Sequence, residues 1–269
     1  MIGGRLEAFI TVPSGVEVAA TNNGGGPTTV TITAGTYTPT SLCAHVQTRL
    51  TAARSPVAGA WSVSLSTGAS GTGLVAIAMS AGTFSITWTS TLLRDALGFT
   101  ATITTQTSVT GTLQARGLWL PKCPLDLEGD PDAAPKATDL RTTISPTGVV
   151  LGLKGTSLYR HRSIRWSHVL RRYVIKAAES TANESLEQWL DDTQFGDGHE
   201  WFGVAAPFLA YYDSAGTDRA VGYALNAGAG PTAGWSLTGV NGIDGCATRK
   251  AEGWTGVWSV VFPQIVTAG

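Results

Sequence analysis

Hydrophobic and polar residues alternate with a period of two over several short stretches, which is the signature of strands with one buried face. Thr28–Thr33 (TTVTIT) sets Val and Ile between threonines, and Trp61–Leu65 (WSVSL) repeats the pattern. Leu74–Met79 reads as a buried strand, and Phe84–Trp88 puts Phe84, Ile86 and Trp88 on one face. Thr102–Val109 predicts one further, threonine-rich strand. Two segments break this period. Leu42, Val46 and Leu50 recur at helical spacing, with Thr40 or Ser41 placed to cap the first amides. A shorter helix fits Leu92–Leu97, stopped by Gly98 with Phe99 packing beyond it.

The second half continues in the same idiom. Gly148–Leu153 (GVVLGL) is apolar and β-branched, and Leu158–Lys176 predicts a long strand with Ile164, Trp166, His168 and Leu170 alternating along one face. Thr181 and Glu184 have the spacing of a capping box. They predict a helix at about 182–195 with Leu186, Trp189 and Leu190 as its apolar stripe, ended by Gly196 or Gly198. Further strands are expected near Trp201–Val204, Phe208–Tyr212, Val221–Leu225, Trp235–Val240 and Trp254–Phe262. The turn-rich segments Ser214–Gly216 and Asn226–Gly234 separate them. The expected fold is mainly β: β-sandwich or open-barrel modules with two or three short helices.

Charge divides the chain. Residues 1–115 hold only Arg5, Glu7, Glu17, Arg49, Arg54, Arg94 and Asp95 as charged groups. The segment from Pro121 to Pro146 carries five prolines among alternating acids and bases, and proline removes an amide donor and fixes φ. The expected organisation is a Thr/Gly-rich module over 1–115, a Pro- and charge-rich linker loop over 116–147, and a sandwich module with one helix over 148–269. Composition supports the strand reading: 33 glycines supply turns, and charged residues make up only 14% of the chain. An average soluble domain has about 25%. A net charge of −1 gives no general pull toward nucleic acid or anionic membranes. The opening MIGGRLEAFI has neither the basic region nor the apolar core of a secretory signal. No stretch reaches the roughly 20 apolar residues that span a bilayer, so a soluble protein made in the cytoplasm is expected.

Catalytic constellations are not nominated. Neither a Gly-rich phosphate loop, a His-Glu-x-x-His pair nor a Gly-x-Ser-x-Gly elbow occurs. Cys43, Cys123 and Cys246 are too scattered for a disulfide framework or zinc motif and read as reduced thiols. His45 reads as a surface helix residue, and His161 and His168 fall on opposite faces of a strand. Asp197, His199 and Glu200 read as a polar turn, and Asp191 with Asp192 as a solvated pair. The acids from Asp126 to Asp132 faintly resemble a calcium loop but lack its ligand pattern. No catalytic residue, cofactor or metal ligand is therefore expected. The sharpest electrostatic feature is basic: Arg160, His161, Arg162, Arg165, Arg171, Arg172 and Lys176, interleaved with Tyr159, Trp166 and Tyr173. Aromatics among cations can hold nucleic acid. With the total charge near neutral, Arg160, Arg162, Arg165, Arg171 and Arg172 read instead as a subunit-contact patch, where guanidinium groups pair well with carboxylates of a neighbour, or as a plain solvated face.

The order Ser163–Trp166 (SIRW), Glu184–Trp189 (ESLEQW), Gly198–Phe202 (GHEWF) and a closing Trp254–Phe262 strand resembles the distal-tail type of tail and baseplate protein in tailed bacteriophages, over roughly residues 150–265. The first half is similar to a more general virion pattern, with Gly35–Tyr37, a helix, Phe84–Trp88 and Leu97–Phe99. The resemblance implies a virion location and a non-enzymatic, ring-forming homo-oligomer that contacts other tail or baseplate proteins. Alternatives are a capsid-surface or connector protein, and a host-attachment or carbohydrate-binding module. The latter would stack sugars on Trp61, Trp88, Trp201, Trp235, Trp254 or Trp258. A hydrolase using an Asp/Glu pair has no pair at a suitable spacing to nominate it.

Overall fold

A computed structural model of the chain describes residues 4–22, 26–53, 59–68, 70–122, 125–126, 136–137, 141–144, 150–153, 158–159, 161–174, 176, 183–195, 207–211, 219–222, 236–237 and 257–266, with the backbone alone in parts of the second half. The fold is mainly β, as the alternation predicts: among the described residues, several antiparallel sheets are accompanied by three α-helices.

The first part of the chain forms β1 (Arg5–Ala8), β2 (Ile10–Val12), β3 (Glu17–Asn22), β4 (Thr28–Thr31), β5 (Gly35–Tyr37), α1 (Pro39–Ala53), β6 (Trp61–Leu65), β7 (Val75–Met79), β8 (Phe84–Trp88), α2 (Thr91–Ala96), β9 (Ile103–Gln106), β10 (Ser108–Thr110) and β11 (Leu118–Trp119). A four-stranded sheet runs β4-β3-β8-β9, a three-stranded sheet runs β10-β7-β6, and β2 pairs with β5. Their alternation decides the core. Trp61, Val63, Val75, Ile77, Met79, Phe84 and Ile86 are buried. Trp61 of β6 meets Phe84 of β8 edge-to-face at 5.0 Å, joining the two sheets.

The threonine-rich stretch 102–109 is not one strand. Thr105 has φ +46, a left-handed conformation that interrupts pairing. Consequently β9 pairs with β8 in one sheet while β10 pairs with β7 in the other.

Both helices of the first half end by specific backbone chemistry. α1 opens two residues before the expected caps. Thr38 Oγ1 accepts from the Ser41 amide at 3.2 Å, and Ser41 Oγ accepts from the Thr38 amide at 2.7 Å. This is a reciprocal capping box with Ser in the place of Glu, followed by Pro39 at the first helical position, where its missing amide costs nothing. Leu42, Val46 and Leu50 are buried as the spacing predicts. α2 is capped by Ser90, whose side chain accepts from the Leu93 amide. At its other end the Gly98 amide donates to the Asp95 carbonyl and the Phe99 amide to the Arg94 carbonyl, both at 3.0 Å. That is the Schellman arrangement, which requires the positive φ of Gly98 (+76).

The second part comprises β12 (Leu125–Asp126), β13 (Lys136–Ala137), β14 (Arg141–Ile144), β15 (Val150–Leu153), β16 (Leu158–Tyr159), β17 (His161–Leu170), a 3-10 turn (Arg171–Tyr173), α3 (Leu186–Leu190) running into a widened π turn (Asp191–Phe195), β18 (Phe208–Tyr211), β19 (Arg219–Gly222), β20 (Ser236–Leu237) and β21 (Val257–Val266). An eight-stranded sheet follows the order β11-β1-β18-β19-β21-β17-β12, with β20 also on β21. β13 pairs with β16, and β14 with β15. Residues 116–147, expected as a linker loop, thus contribute the short strands β11 to β14. Pairing also crosses the expected boundary at 115, because β1 lies between β11 and β18.

In β17 the register to β21 slips between Trp166 and Val169. The single alternation expected from Ile164 to Leu170 is therefore broken by a bulge, and Val169, outside the expected row, is buried. α3 is shorter than the expected 182–195 and starts later. Its cap is Ser185, accepting from the Gln188 amide at 3.2 Å. Asn183 and Glu184 precede it in a turn, with Asn183 at φ +70, and residues 181–182 lie outside the described residues. Leu186, Trp189 and Leu190 form the buried stripe as expected. The strand expected at 201–204 also lies outside the described residues.

Candidate subunit-contact surface and the buried junction

The basic run is only partly assembled by the structure. Arg160 lies outside the described residues. Arg162 and Arg165 belong to β17, opposite Ile265 and Val261 of β21, and Arg165 is also opposite Asp126 of β12. β17 is thus paired on both sides at Arg165 and Trp166, so that point cannot take a neighbour by backbone pairing. Arg171 opens the 3-10 turn that ends the strand. Arg172 turns inward. Its guanidinium stacks over the Tyr173 ring, 4.7 Å from the centroid, and donates to the Tyr173 hydroxyl at 2.7 Å. Tyr173 is itself a core residue, whose carbonyl accepts from Trp119 Nε1 at 2.6 Å. Arg172 is therefore committed to a tyrosine anchored in the core. Lys176 contributes its backbone amide to the Glu187 carboxylate at 2.7 Å.

The first half offers a different kind of surface. In the three-stranded sheet Ser108, Ala78 and Ser62 lie in one row, and Thr110, Ala76 and Ser64 in the next. All are at least partly exposed. In the four-stranded sheet Thr29, Ala19 and Thr87 make a similar row. These outward faces are small, hydroxyl-bearing and almost without charge. The few charges of this half are engaged locally: Arg5 with Glu7, Arg94 with Asp95, Arg49 Nε on the Thr31 carbonyl, and Glu17 accepting from the Thr31 hydroxyl. Arg54 lies outside the described residues.

Sheet edges on one side are covered by α1. Gln47 Oε1 accepts from the Val63 amide of β6 at 2.9 Å, and Arg49 holds the Thr31 carbonyl of β4 at 2.8 Å. His45 Nε2 accepts from the Thr33 amide just beyond β4 at 3.2 Å. Three polar side chains of one helix thus satisfy backbone groups that an edge strand otherwise leaves open to a second chain. His45 is half-buried and stacked on Tyr37 at 4.8 Å, a greater engagement than a surface helix position implies. Burial, and secondarily the charge of Arg49, hold its imidazole below the ordinary histidine range.

A buried polar junction, invisible in the sequence, ties the first half to the eight-stranded sheet. Arg5 and Glu7 lie two apart on β1 and share a face. Arg5 Nε meets Glu7 Oε1 at 2.7 Å, and its guanidinium lies 3.8 Å from the Tyr211 ring centroid on β18. The Glu7 carboxylate also accepts from the Thr40 amide (3.1 Å) and hydroxyl (2.7 Å). The first turn of α1 has no acidic residue of its own, so a strand supplies the negative charge that a helix N-terminus favours. Nearby, α3 grips the segment before β11. Asn183 Nδ2 donates to the Gln114 carbonyl at 3.0 Å and Trp189 Nε1 to the Gly117 carbonyl at 2.9 Å. Asp192 lies 3.7 Å from Arg116 and accepts from Gln188 at 2.7 Å. Asp192 is 1% exposed, which corrects the expectation of a solvated Asp191–Asp192 pair.

Other chemistry is sparse. Cys43 is buried against the core, and burial, reinforced by the Glu7 charge, pushes its thiol up to about 12. Among the described residues no three His, Cys, Asp or Glu side chains converge as metal ligands. Asp197, His199, Glu200, Cys123, Cys246 and most of the acids from 126 to 132 lie outside the described residues. Trp61 is buried in the core, and Trp88, which is partly exposed, gives one ring face to Phe99 and donates to the Ala101 carbonyl. Trp201, Trp235 and Trp254 lie outside the described residues, and Trp258 is described only as backbone. Among the described residues no helix is long and apolar enough to cross a membrane. No family model, curated protein or solved structure matches the chain.

Proposed function

We propose that this chain is a non-enzymatic virion structural protein, a ring-forming homo-oligomeric component of a phage tail or baseplate of the distal-tail kind. The observation that carries the reading is the outward surface of the first-half sheets, where Ser108–Ala78–Ser62 and Thr110–Ala76–Ser64 form uncharged rows of small side chains. A neighbour can cover such faces without dehydrating a charge, and the hydroxyls can hydrogen-bond across the contact. Their small side chains also allow close approach. The likeness of the 150–265 pattern to distal-tail proteins supports the same reading. A host-attachment or carbohydrate-binding module is the weaker alternative, since Trp61 is committed to packing and Trp88 gives one ring face to Phe99.

The test is the mass of the purified full chain across concentration, by light scattering with negative-stain imaging. Rings with an interface above about 2,000 Å² in total support the proposal. Ala78→Arg should then break them while leaving the circular dichroism of the fold unchanged. A protein that stays monomeric at every concentration, or a ring indifferent to Ala78→Arg, removes the sheet-face reading.

A further inference from the structure

We propose that His45 is an acid-operated latch: neutral, it closes α1 over the outer end of β4, and protonation releases the chain at Thr33, between β4 and β5. The geometry is specific about protonation state. Nε2 accepts from the Thr33 amide, so the neutral ring carries its proton on Nδ1. A second proton turns Nε2 into a donor facing another donor, and the bond is lost. The Tyr37 hydroxyl in turn donates to the Thr33 carbonyl at 3.0 Å while its ring stacks on His45. Amide, carbonyl and both rings thus form one closed unit that depends on the imidazole lone pair.

The sign follows from linkage. Burial and Arg49 disfavour the imidazolium in the closed state, whereas the released ring has an ordinary value near about 6.5. The closed state is therefore fully favoured above that value. Opening gains by up to about tenfold per pH unit on acidification below it, and levels off once the closed-state imidazole also protonates. Charged and titratable groups on the surrounding elements are Arg49 and Cys43 of α1, Tyr37 of β5, Glu17 of β3, and Arg5 and Glu7 of β1. Cys43 stays a thiol. Glu7 and Glu17 persist in a His45→Gln variant, so their contributions are common to both proteins and subtract.

The structure supplies an internal control. The Val63 amide is held by Gln47 of the same helix at 2.9 Å, and that acceptor does not titrate. The experiment is residue-resolved amide exchange and ¹H–¹⁵N shift titration of the full chain between pH 8 and 5. The expected result has three parts. Thr33 exchange, corrected for intrinsic rates, accelerates relative to Val63 below about pH 6.5. The Thr33 amide resonance titrates with the His45 ring at one midpoint. Both effects vanish in His45→Gln. A Thr33 resonance that ignores the His45 titration, exchange at Thr33 and Val63 that moves together, or a response surviving in His45→Gln overturns the latch.

Discussion

Glu7 of β1 accepts hydrogen bonds from both the amide and the hydroxyl of Thr40, so the carboxylate that neutralises the first turn of α1 resides on a separate strand. The same carboxylate pairs with Arg5, which lies against Tyr211. One acidic side chain therefore fixes the helix start, the strand and the neighbouring β18 in a single arrangement. Glu7→Ala leaves Arg5 and the Thr40 amide without this partner inside the protein. The expected loss is about 3–5 kcal/mol of unfolding free energy, as for other buried pairs broken on one side. Glu7→Gln, which keeps an acceptor oxygen, should lose less. Urea denaturation of the two variants checks this, and a loss in Glu7→Ala no larger than that of an ordinary surface substitution would refute the junction's role.

Gly98 has no room for a side chain. A methyl group there would sit 2.1 Å from the Leu113 carbonyl oxygen, at φ +76. Gly98→Ala should destabilise by at least about 1–3 kcal/mol from backbone strain alone, visible as a lowered thermal midpoint. Gly15 also has positive φ but has open space around its Cβ direction. Gly15→Ala should accordingly lose clearly less, and equal losses at the two sites would remove the steric part of the argument.

Cys43 should be silent toward alkylating reagents in the native protein at pH 8. Its thiol is buried and pushed up to about 12, and the thiolate is the reactive form. Peptide mass mapping after brief iodoacetamide treatment should find Cys43 unmodified until denaturant is added. Rapid native labelling of that peptide contradicts the packing described for α1.

Trp189 Nε1 holds the Gly117 carbonyl, and the Trp189 ring packs edge-to-face on Phe208 at 5.2 Å. Trp189→Phe keeps an aromatic ring but removes one of two hydrogen bonds to the Gly117 carbonyl, which also accepts from the Ala8 amide at 2.7 Å, so a loss of about 0.5–1.5 kcal/mol is expected. Asn183→Ala releases the neighbouring Gln114 carbonyl, and both contacts secure the same segment. A double-mutant cycle should therefore show coupling above about 0.5 kcal/mol. Strict additivity would mean that α3 does not grip the segment as a unit.

Where one face of an element is buried and the other exposed, the sequence was readable. β6 and β8 fall on the residues that alternation predicts, and α1 buries the predicted stripe. β1 escaped notice because all four of its residues are buried, including Arg5 and Glu7. Two charges in four residues read as solvent-facing unless their partners, Thr40 and Tyr211, are known to be adjacent. The break at Thr105 was hidden for a related reason: threonine suits a strand, and the left-handed φ that divides the two sheets is imposed by tertiary pairing. Of the basic run, the spacing identified a strand but carried it to Lys176, past its end at Leu170, and did not show the inward turn of Arg172 onto Tyr173. The edge-covering roles of His45, Gln47 and Arg49 leave no mark in hydrophobic periodicity, since all three are polar positions off the apolar stripe.

The position of β1 also orders events in time. Leu6 pairs with Ala210, and Glu7 with Leu209, so β1 waits for a partner translated much later. Until then the carboxylate that steadies α1 lacks its β18 neighbour, and the apolar residues Leu6 and Ala8 have one pairing side vacant. Contacts of such high sequence separation form slowly and leave the nascent chain exposed to association with other chains. Translation speed and chaperone supply should therefore govern the yield of correctly closed protein more than the final stability of the fold does.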